Sequence, residues 1–154
     1  MTSKLGVCVK NLGPSQLAYQ VISQGNEFVG SVGGDFVAFF DEPHRPCIQP
    51  SFASMQVMEG WGYEAPIVAT TFNTAEKLLR FPACTKRLFY VNDLEWLRSS
   101  RGYEQLRAVY GSPRLTLIAR SADHKQVLEQ LWNRPVAAVM DRFDIPALLK
   151  LAAV

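Results

Sequence analysis

The chain has 154 residues, of which 48% are hydrophobic and 19% are charged, and its formal net charge at pH 7 is +2. This length suits a single domain with a sizeable core, and the composition excludes an intrinsically disordered chain. The charge is small and no run of Lys or Arg is present, which argues against nucleic-acid binding.

The cysteines and the N-terminus predict a cytoplasmic protein. Cys8, Cys47 and Cys84 are odd in number, far apart and without C-x-x-C spacing, which is typical of a reducing compartment. The first residues lack the apolar stretch of a signal peptide, and no run approaches the roughly 18 apolar residues of a membrane helix. We therefore expect no membrane association, no metal and no cofactor.

Six short apolar runs punctuate the chain, each followed by a polar or Gly/Pro turn and then by a helical pattern. Their apolar character is continuous, which is typical of strands buried on both faces of a sheet. Half-exposed antiparallel strands would alternate instead. The predicted strands are residues 4–10, 35–40, 66–71, 87–91, 114–119 and 136–140.

The segments between the strands have apolar residues spaced to lie on one face of a helix. Ser121 is a predicted helix cap, with Val127, Leu128 and Leu131 expected to face inward, and Asp144 begins the last helix. The stretch 25–34 holds four glycines and is predicted to be a flexible loop or a short edge strand at 27–32. The other predicted helices are residues 15–24, 51–61, 73–79 (opened by a capping-box pattern) and 101–110.

Strands that alternate with helices of about ten residues indicate βαβ units with right-handed crossovers. The predicted fold is therefore α/β, a three-layer, mostly parallel, Rossmann-like sheet of about six strands flanked by helices. No linker or repeat divides the chain, so residues 1–154 are predicted to form a single domain.

In such a sheet a ligand binds beyond the carboxyl ends of the strands, where the strand order reverses. The loops that emerge there carry most of the notable polar residues, although the same residues also suit turns and helix caps. Neither G-x-G-x-x-G nor a P-loop pattern occurs. The candidate ligand-binding residues are Asn11, Gly13, Ser15, Thr71, Asn73, Glu95, Arg120 and Ser121.

Asp41, His44 and Asp93 are the candidate catalytic residues. Asp41 and His44 belong to the densest charge cluster, where a carboxylate and an imidazole together suit acid–base work. Asp93 and Glu95 would face the same way in an extended chain, whereas a helical turn would separate them. Only Cys47 is near enough to add a ligand beside His44, so no metal site is expected.

Three segments resemble the N-terminal half of GT-B glycosyltransferases, enzymes built from two facing Rossmann-like domains. Residues 4–15 (KLGVCVKNLGPS) resemble the opening strand and the Gly-containing loop that faces the acceptor. Residues 117–128 (LIARSADHKQVL) resemble a late strand in which a Ser begins a helix. Residues 136–149 (VAAVMDRFDIPALL) are similar to the closing N-G-V-D-x-x-x-F segment, with Asp144 at the Asp and Arg142 and Phe143 in place of Gly-Val.

The resemblance implies a domain that binds a sugar acceptor or a nucleotide. Asn11, Gly13 and Ser15 would contact the ligand, with Asp41, His44 or Asp93 as a base. In that family the second domain holds most of the nucleotide-sugar contacts, and this chain ends at Val154 where that domain would begin. The expectation is therefore a domain that does not transfer sugar alone.

Two other functions stay open. The first is a non-enzymatic interaction or assembly protein, for example in a virus particle, that forms homo-oligomers or binds a protein partner through Trp61, Tyr63 and Tyr103. The second is a small hydrolase or nucleotide-binding regulator that uses the loop of Asp41 and His44. A receiver-type regulator is disfavoured because the first strand ends in Lys10 rather than in an acidic pair.

Overall fold

Parallel β-strands form one sheet in the computed structural model, which describes residues 3–154. Within these residues the sheet has seven strands in the order β3-β2-β1-β4-β5-β6-β7, and every pairing is parallel. The predicted α/β Rossmann-like fold is confirmed, with one strand more than the sequence indicated. The strands are β1 (Lys4–Val9), β2 (Asp35–Phe40), β3 (Ala53–Gln56), β4 (Pro66–Ala69), β5 (Lys86–Val91), β6 (Thr116–Ala119) and β7 (Ala138–Val139).

Helices connect most of the strands and cover both faces of the sheet. None of the helices in the described part of the chain is long and apolar enough to cross a membrane. They are α1 (Gln16–Glu27), α2 (Phe72–Leu78), α3 (Tyr103–Tyr110), α4 (Ala122–Trp132) and α5 (Ile145–Ala152), with a π-helical turn at Phe28–Val32 and 3₁₀ turns at Val57–Gly62 and Glu95–Arg98.

Two apolar cores lie on opposite faces because successive side chains of a strand point to opposite sides. In β5, Leu88 and Tyr90 join the core beneath α1 and α5, whereas Phe89 and Val91 join the core beneath α2, α3 and α4. The central strands are therefore buried on both sides, which explains their continuous apolar character. The sheet between two helical layers is the predicted three-layer arrangement.

Side-chain caps fix the helix starts. Ser15, Ser121 and Asp144 are the N-caps of α1, α4 and α5, and each accepts a hydrogen bond from the backbone three residues later. The prediction that Asn73 caps α2 was wrong by two residues, because Thr71 is the cap.

The segment 51–61 does not form the predicted helix. It forms β3 and a 3₁₀ turn, because the extended residues pair with β2 in the register Val37↔Ala53 to Phe40↔Gln56. The stretch 27–32 is neither the predicted loop nor the alternative edge strand: α1 runs on to Glu27 and ends in the π-helical turn, and Gly33 closes it with a φ of 69°. A positive φ suits glycine, which has no Cβ to clash.

The buried stripe of α4 differs from the prediction. Leu128 and Trp132 pack into the core, while Val127 and Leu131 are exposed on the outer side of the helix. Residues 128 and 132 are one helical turn apart and share a face. Trp132 is therefore buried in the core at the place where Leu131 was predicted to be.

Candidate functional site

The reversal of strand order lies between β1 and β4, and the loops after β1, β2 and β4 meet there. Backbone hydrogen bonds tie the loops after β1 and β2 together: Asp41 donates to the carbonyls of Val9 and Lys10, and Cys47 donates to that of Leu12. We call the candidate site residues at this edge, together with Lys77, the switch-point rim. It comprises Asn11, Gly13, Ser15, Asp41, His44 and Lys77.

The loop after β1 is held by its own side chains. The Asn11 Oδ1 accepts a hydrogen bond of 2.9 Å from the Gly13 amide, and the Ser15 Oγ accepts one of 3.0 Å from Ala18. The His44 ring lies against Gly13, where an added Cβ would be 2.5 Å from the His44 Nδ1. Gly13 therefore permits a close approach, and the approaching group in this structure is His44.

Asp41 and Lys77 form an ion pair at the centre of the rim. Asp41 follows β2 and its side chain is only 15% exposed, while Lys77 comes from the last turn of α2 and is 38% exposed. The pair joins the two halves of the sheet across the switch point. Sequence reasoning found Asp41 but missed Lys77, because 36 positions separate the two residues and no local pattern connects them.

Thr71 serves the start of α2. Its Oγ1 accepts a hydrogen bond from the Thr74 amide, and the Thr74 Oγ1 accepts one from the Thr71 amide, which makes a reciprocal capping box. The neighbouring Thr70 Oγ1 donates to the Cys8 carbonyl at 2.7 Å and so fastens the end of β4 to β1. Thr71 is thus close to the rim but committed to a helix cap.

The side chain of Glu95 occupies the N-terminus of α2, where a ligand anion could otherwise bind. Its Oε2 accepts a hydrogen bond of 2.7 Å from the Phe72 amide, which is the first amide of that helix. Burial raises the pKa of the Glu95 carboxyl, and the Asp93 carboxylate raises it further, whereas the Phe72 amide and the guanidinium groups of Arg101 and Arg98 lower it. An anionic ligand would have to displace this carboxylate to reach α2.

The remaining candidates around β5 and β6 have intramolecular partners. Asp93 is paired with Arg98, and the Asn73 Oδ1 accepts a hydrogen bond from Arg101. Arg101 also lies 4.4 Å from the centroid of the Phe72 ring. Each carboxylate of the Asp93 and Glu95 pair thus has a partner of its own.

Arg120 and Ser121 lie at the end of β6. The Arg120 guanidinium donates to the Asn92 carbonyl at 3.4 Å, and the Ser121 Oγ accepts a hydrogen bond of 3.1 Å from the His124 amide. Arg120 therefore connects the ends of β5 and β6, and Ser121 caps α4, both at the same edge of the sheet as the rim.

An aromatic stack near α3 and α4 went unrecognised in the sequence. The Tyr110 and Trp132 rings are stacked with centroids 5.2 Å apart, and Tyr103 stacks on Trp132 at 5.8 Å. The Tyr110 hydroxyl and the Trp132 Nε1 are buried without a hydrogen-bond partner in the structure. The spacing of Tyr103 and Tyr110 on one helix predicts a shared face, but nothing local indicates that Trp132 joins them.

The cysteines are free thiols. Cys8 and Cys84 are buried and Cys47 is partly exposed. Burial raises the pKa of the Cys8 and Cys84 thiols, which keeps both protonated at neutral pH. Across residues 3–154, no group of three or more His, Cys, Asp or Glu side chains is arranged to hold a metal ion.

Among residues 3–154, cavities also lie away from the rim. One of 210 Å³ lies between the end of α1 and the start of α5, with Phe28, Arg142 and Ile145 among its walls. Another of 410 Å³ lies beside Tyr103 and Trp132. Neither includes a residue of the switch-point rim.

Known proteins add no family to this description. Comparisons of the chain with protein-family models, with curated proteins and with solved structures found no match.

Proposed function

We propose that this chain is a glycosyltransferase-like domain that binds a nucleotide or a sugar acceptor at the switch-point rim and does not catalyse transfer alone. The observation that carries the proposal is the position of Lys77, a partly exposed cation at the reversal of strand order whose partner Asp41 a ligand phosphate would have to replace. Ligands of open parallel sheets bind at this point, and a cation there suits phosphate.

The start of α1 supplies a second favourable group. This helix has 12 residues, and Pro14, Ser15 and Gln16 at its start are exposed. The amides of a first helical turn and the helix dipole attract anions. At α2 the corresponding position is filled by Glu95, so α1 is the helix that supports phosphate binding at the rim.

The partners of the candidate bases favour ligand binding over catalysis as the role of this site. Asp41 is paired with Lys77, and Asp93 is paired with Arg98. The His44 Nδ1 lies 3.0 Å from the Arg45 carbonyl oxygen. Catalysis by Asp41 or Asp93 would need the carboxylate to leave its partner, which agrees with a domain that holds a ligand for a separate catalytic chain. The free thiols support the cytoplasmic location included in this proposal.

Calorimetry with UDP-glucose and GDP-mannose tests the proposal. The double variant Lys77→Met/Asp41→Asn removes the cation without leaving a half-buried carboxylate unpaired. We expect it to weaken binding of at least one probe about tenfold or more, since hydrogen bonds to charged groups contribute about 1.5–3 kcal/mol. Lys150→Met, an exposed change on α5, is the matched control and should bind as the unmodified chain does.

Binding should also weaken with added salt if phosphate is the recognised group. The proposal fails if the unmodified chain produces no binding heat with either probe. It fails equally if Lys77→Met/Asp41→Asn and Lys150→Met bind alike.

The second candidate function is a non-enzymatic assembly protein. Exposed apolar side chains favour it: Trp61 is 48% and Tyr103 57% exposed, and Met58 lies three residues before Trp61. Tyr63 is not among these exposed side chains, because its ring is partly buried against Phe39 with centroids 5.4 Å apart. Self-association without nucleotide-sugar binding would select this function over the first.

A further inference from the structure

The strand β3 forms an open edge of the sheet. It pairs with β2 on one side only, and all four of its residues are exposed. No helix connects β2 to β3, and only a 3₁₀ turn follows β3. In the described chain, no hydrogen bond outside the strand ladder involves residues 53–56. Alternate backbone amides and carbonyls of β3 are therefore open to another strand.

This edge lacks the protection that edge strands usually have. Charged side chains, proline or extreme shortness normally prevent edge-to-edge pairing. Residues 51–58 (SFASMQVM) contain no charge and no proline. At the opposite edge, β7 has only two residues, and Pro135 precedes it at the same distance as Pro50 precedes β3. The two edges therefore differ mainly in length, and β3 is the one long enough to pair with a further strand.

Apolar side chains extend the open edge beyond the backbone. Met55, Met58 and Trp61 are 37%, 53% and 48% exposed. A four-residue strand offers few hydrogen bonds, so a stable pairing needs additional apolar contact. These three side chains provide it on the strand and in the turn that follows.

We infer that a second copy of this chain adds its β3 to this edge, antiparallel and across a two-fold axis, to form one sheet through both copies. A two-fold axis at Met55 sets that residue opposite its own counterpart, so a charge at the centre would meet the same charge. The uncharged segment 51–58 satisfies this electrostatic requirement. The surface is distinct from the switch-point rim, so the inference does not depend on the proposed ligand.

Sedimentation velocity of the full chain across a concentration series tests the inference. The unmodified chain should sediment as a dimer at high concentration. Met55→Lys and Met55→Glu should each lose dimerisation, so the mass falls twofold, and an equimolar mixture of the two variants should recover the dimer. Val139→Lys, at the opposite edge where Val139 is 45% exposed, is the matched control and should leave the dimer unchanged.

Far-UV circular dichroism and thermal unfolding of each variant separate lost pairing from lost folding. A monomeric unmodified chain at every concentration overturns the inference. So does dissociation by Val139→Lys rather than by the Met55 variants, or a mixture of folded Met55→Lys and Met55→Glu chains that stays monomeric. Dimerisation with no nucleotide-sugar binding would support this inference and reject the proposed ligand, so the two fail separately.

Discussion

Gly13 and His44 are coupled by direct contact, because a Cβ at position 13 would lie 2.5 Å from the His44 ring. Gly13→Ala should therefore lower the free energy of unfolding by up to about 1 kcal/mol, less than in a rigid core because His44 is exposed and its ring has room to turn. In a His44→Ala background the same change should cost nothing measurable. Urea denaturation of the four chains gives the coupling energy, and equal costs in both backgrounds would reject the contact.

Glu95 should make stability depend on pH. Burial raises the pKa of its carboxyl above the ordinary 4.5, so the folded chain holds the proton more tightly than the unfolded chain does. The stability contributed by protonated Glu95 is fully present below pH 4.5 and is lost as pH rises through the raised pKa. Asp93, Arg98, Arg101 and the Phe72 amide are the groups that face this carboxyl.

Glu95→Gln should escape this loss, since an amide oxygen still accepts the hydrogen bond from Phe72 and does not titrate. The Tm of the variant relative to the unmodified chain should therefore rise between pH 4.5 and neutrality. Thermal unfolding at matched ionic strength provides the measurement. A Tm difference that is constant across this pH range would contradict the burial of the charge.

At the scale of elements, α1 packs closely on the sheet at Gly25. An added Cβ there would lie 2.6 Å from both the Phe36 and Phe52 rings. Alanine gains about 1 kcal/mol over glycine in a helix, but overpacking costs about 1–3 kcal/mol, so Gly25→Ala should be destabilising overall. Gly30→Ala, where no atom lies within 4 Å of the new Cβ, is the control and should be neutral or slightly stabilising. Chemical denaturation distinguishes the two outcomes.

Strands with a continuous apolar run were predictable, and the one strand without such a run was not. The continuous apolar runs of β1, β2, β4, β5, β6 and β7 all correspond to predicted strands. The strand β3 was mistaken for a helix because Phe52, Met55 and Met58 recur every three residues. An exposed strand has no core to impose alternation on its sequence, so this spacing was coincidental.

The helix ends show a similar division. Ser15, Ser121 and Asp144 were found because a cap is a local pattern. The continuation of α1 through Gly25 and Asn26 was missed, since both residues disfavour helix interiors. Tertiary contacts outweigh that preference: Gly25 fits against Phe36, and the Asn26 side chain bonds to the backbone of Gln49 and Ser51.

At the scale of the whole molecule, the two cores share the same strands and should unfold together. The three tryptophans lie on or beside the core beneath α2, α3 and α4, so their fluorescence reports on that face. Far-UV circular dichroism also detects α1 and α5 on the other face. We expect the two signals to give coincident urea transitions. Separate midpoints would mean that the faces unfold independently.

The position of the candidate site was predictable, whereas its internal pairing was not. Parallel strands place Gly13, Asp41, Thr71 and Asp93 at one edge of the sheet, as topology requires. The partners Lys77 and Arg98 depend on how side chains of different loops meet in three dimensions. A local sequence pattern does not indicate which side chains of different loops come into contact.

Because the three free thiols are buried to different degrees, their alkylation rates measure how often different parts of the protein open. An alkylating reagent should modify Cys47 first, because Cys8 and Cys84 are buried and have raised pKa values. Mass spectrometry over time would then follow three alkylation rates in one unmodified chain. Alkylation of Cys8 requires the centre of the sheet to separate, so the alkylation rate of Cys8 measures the rarest opening. The alkylation rate of Cys84 measures movement near the start of β5.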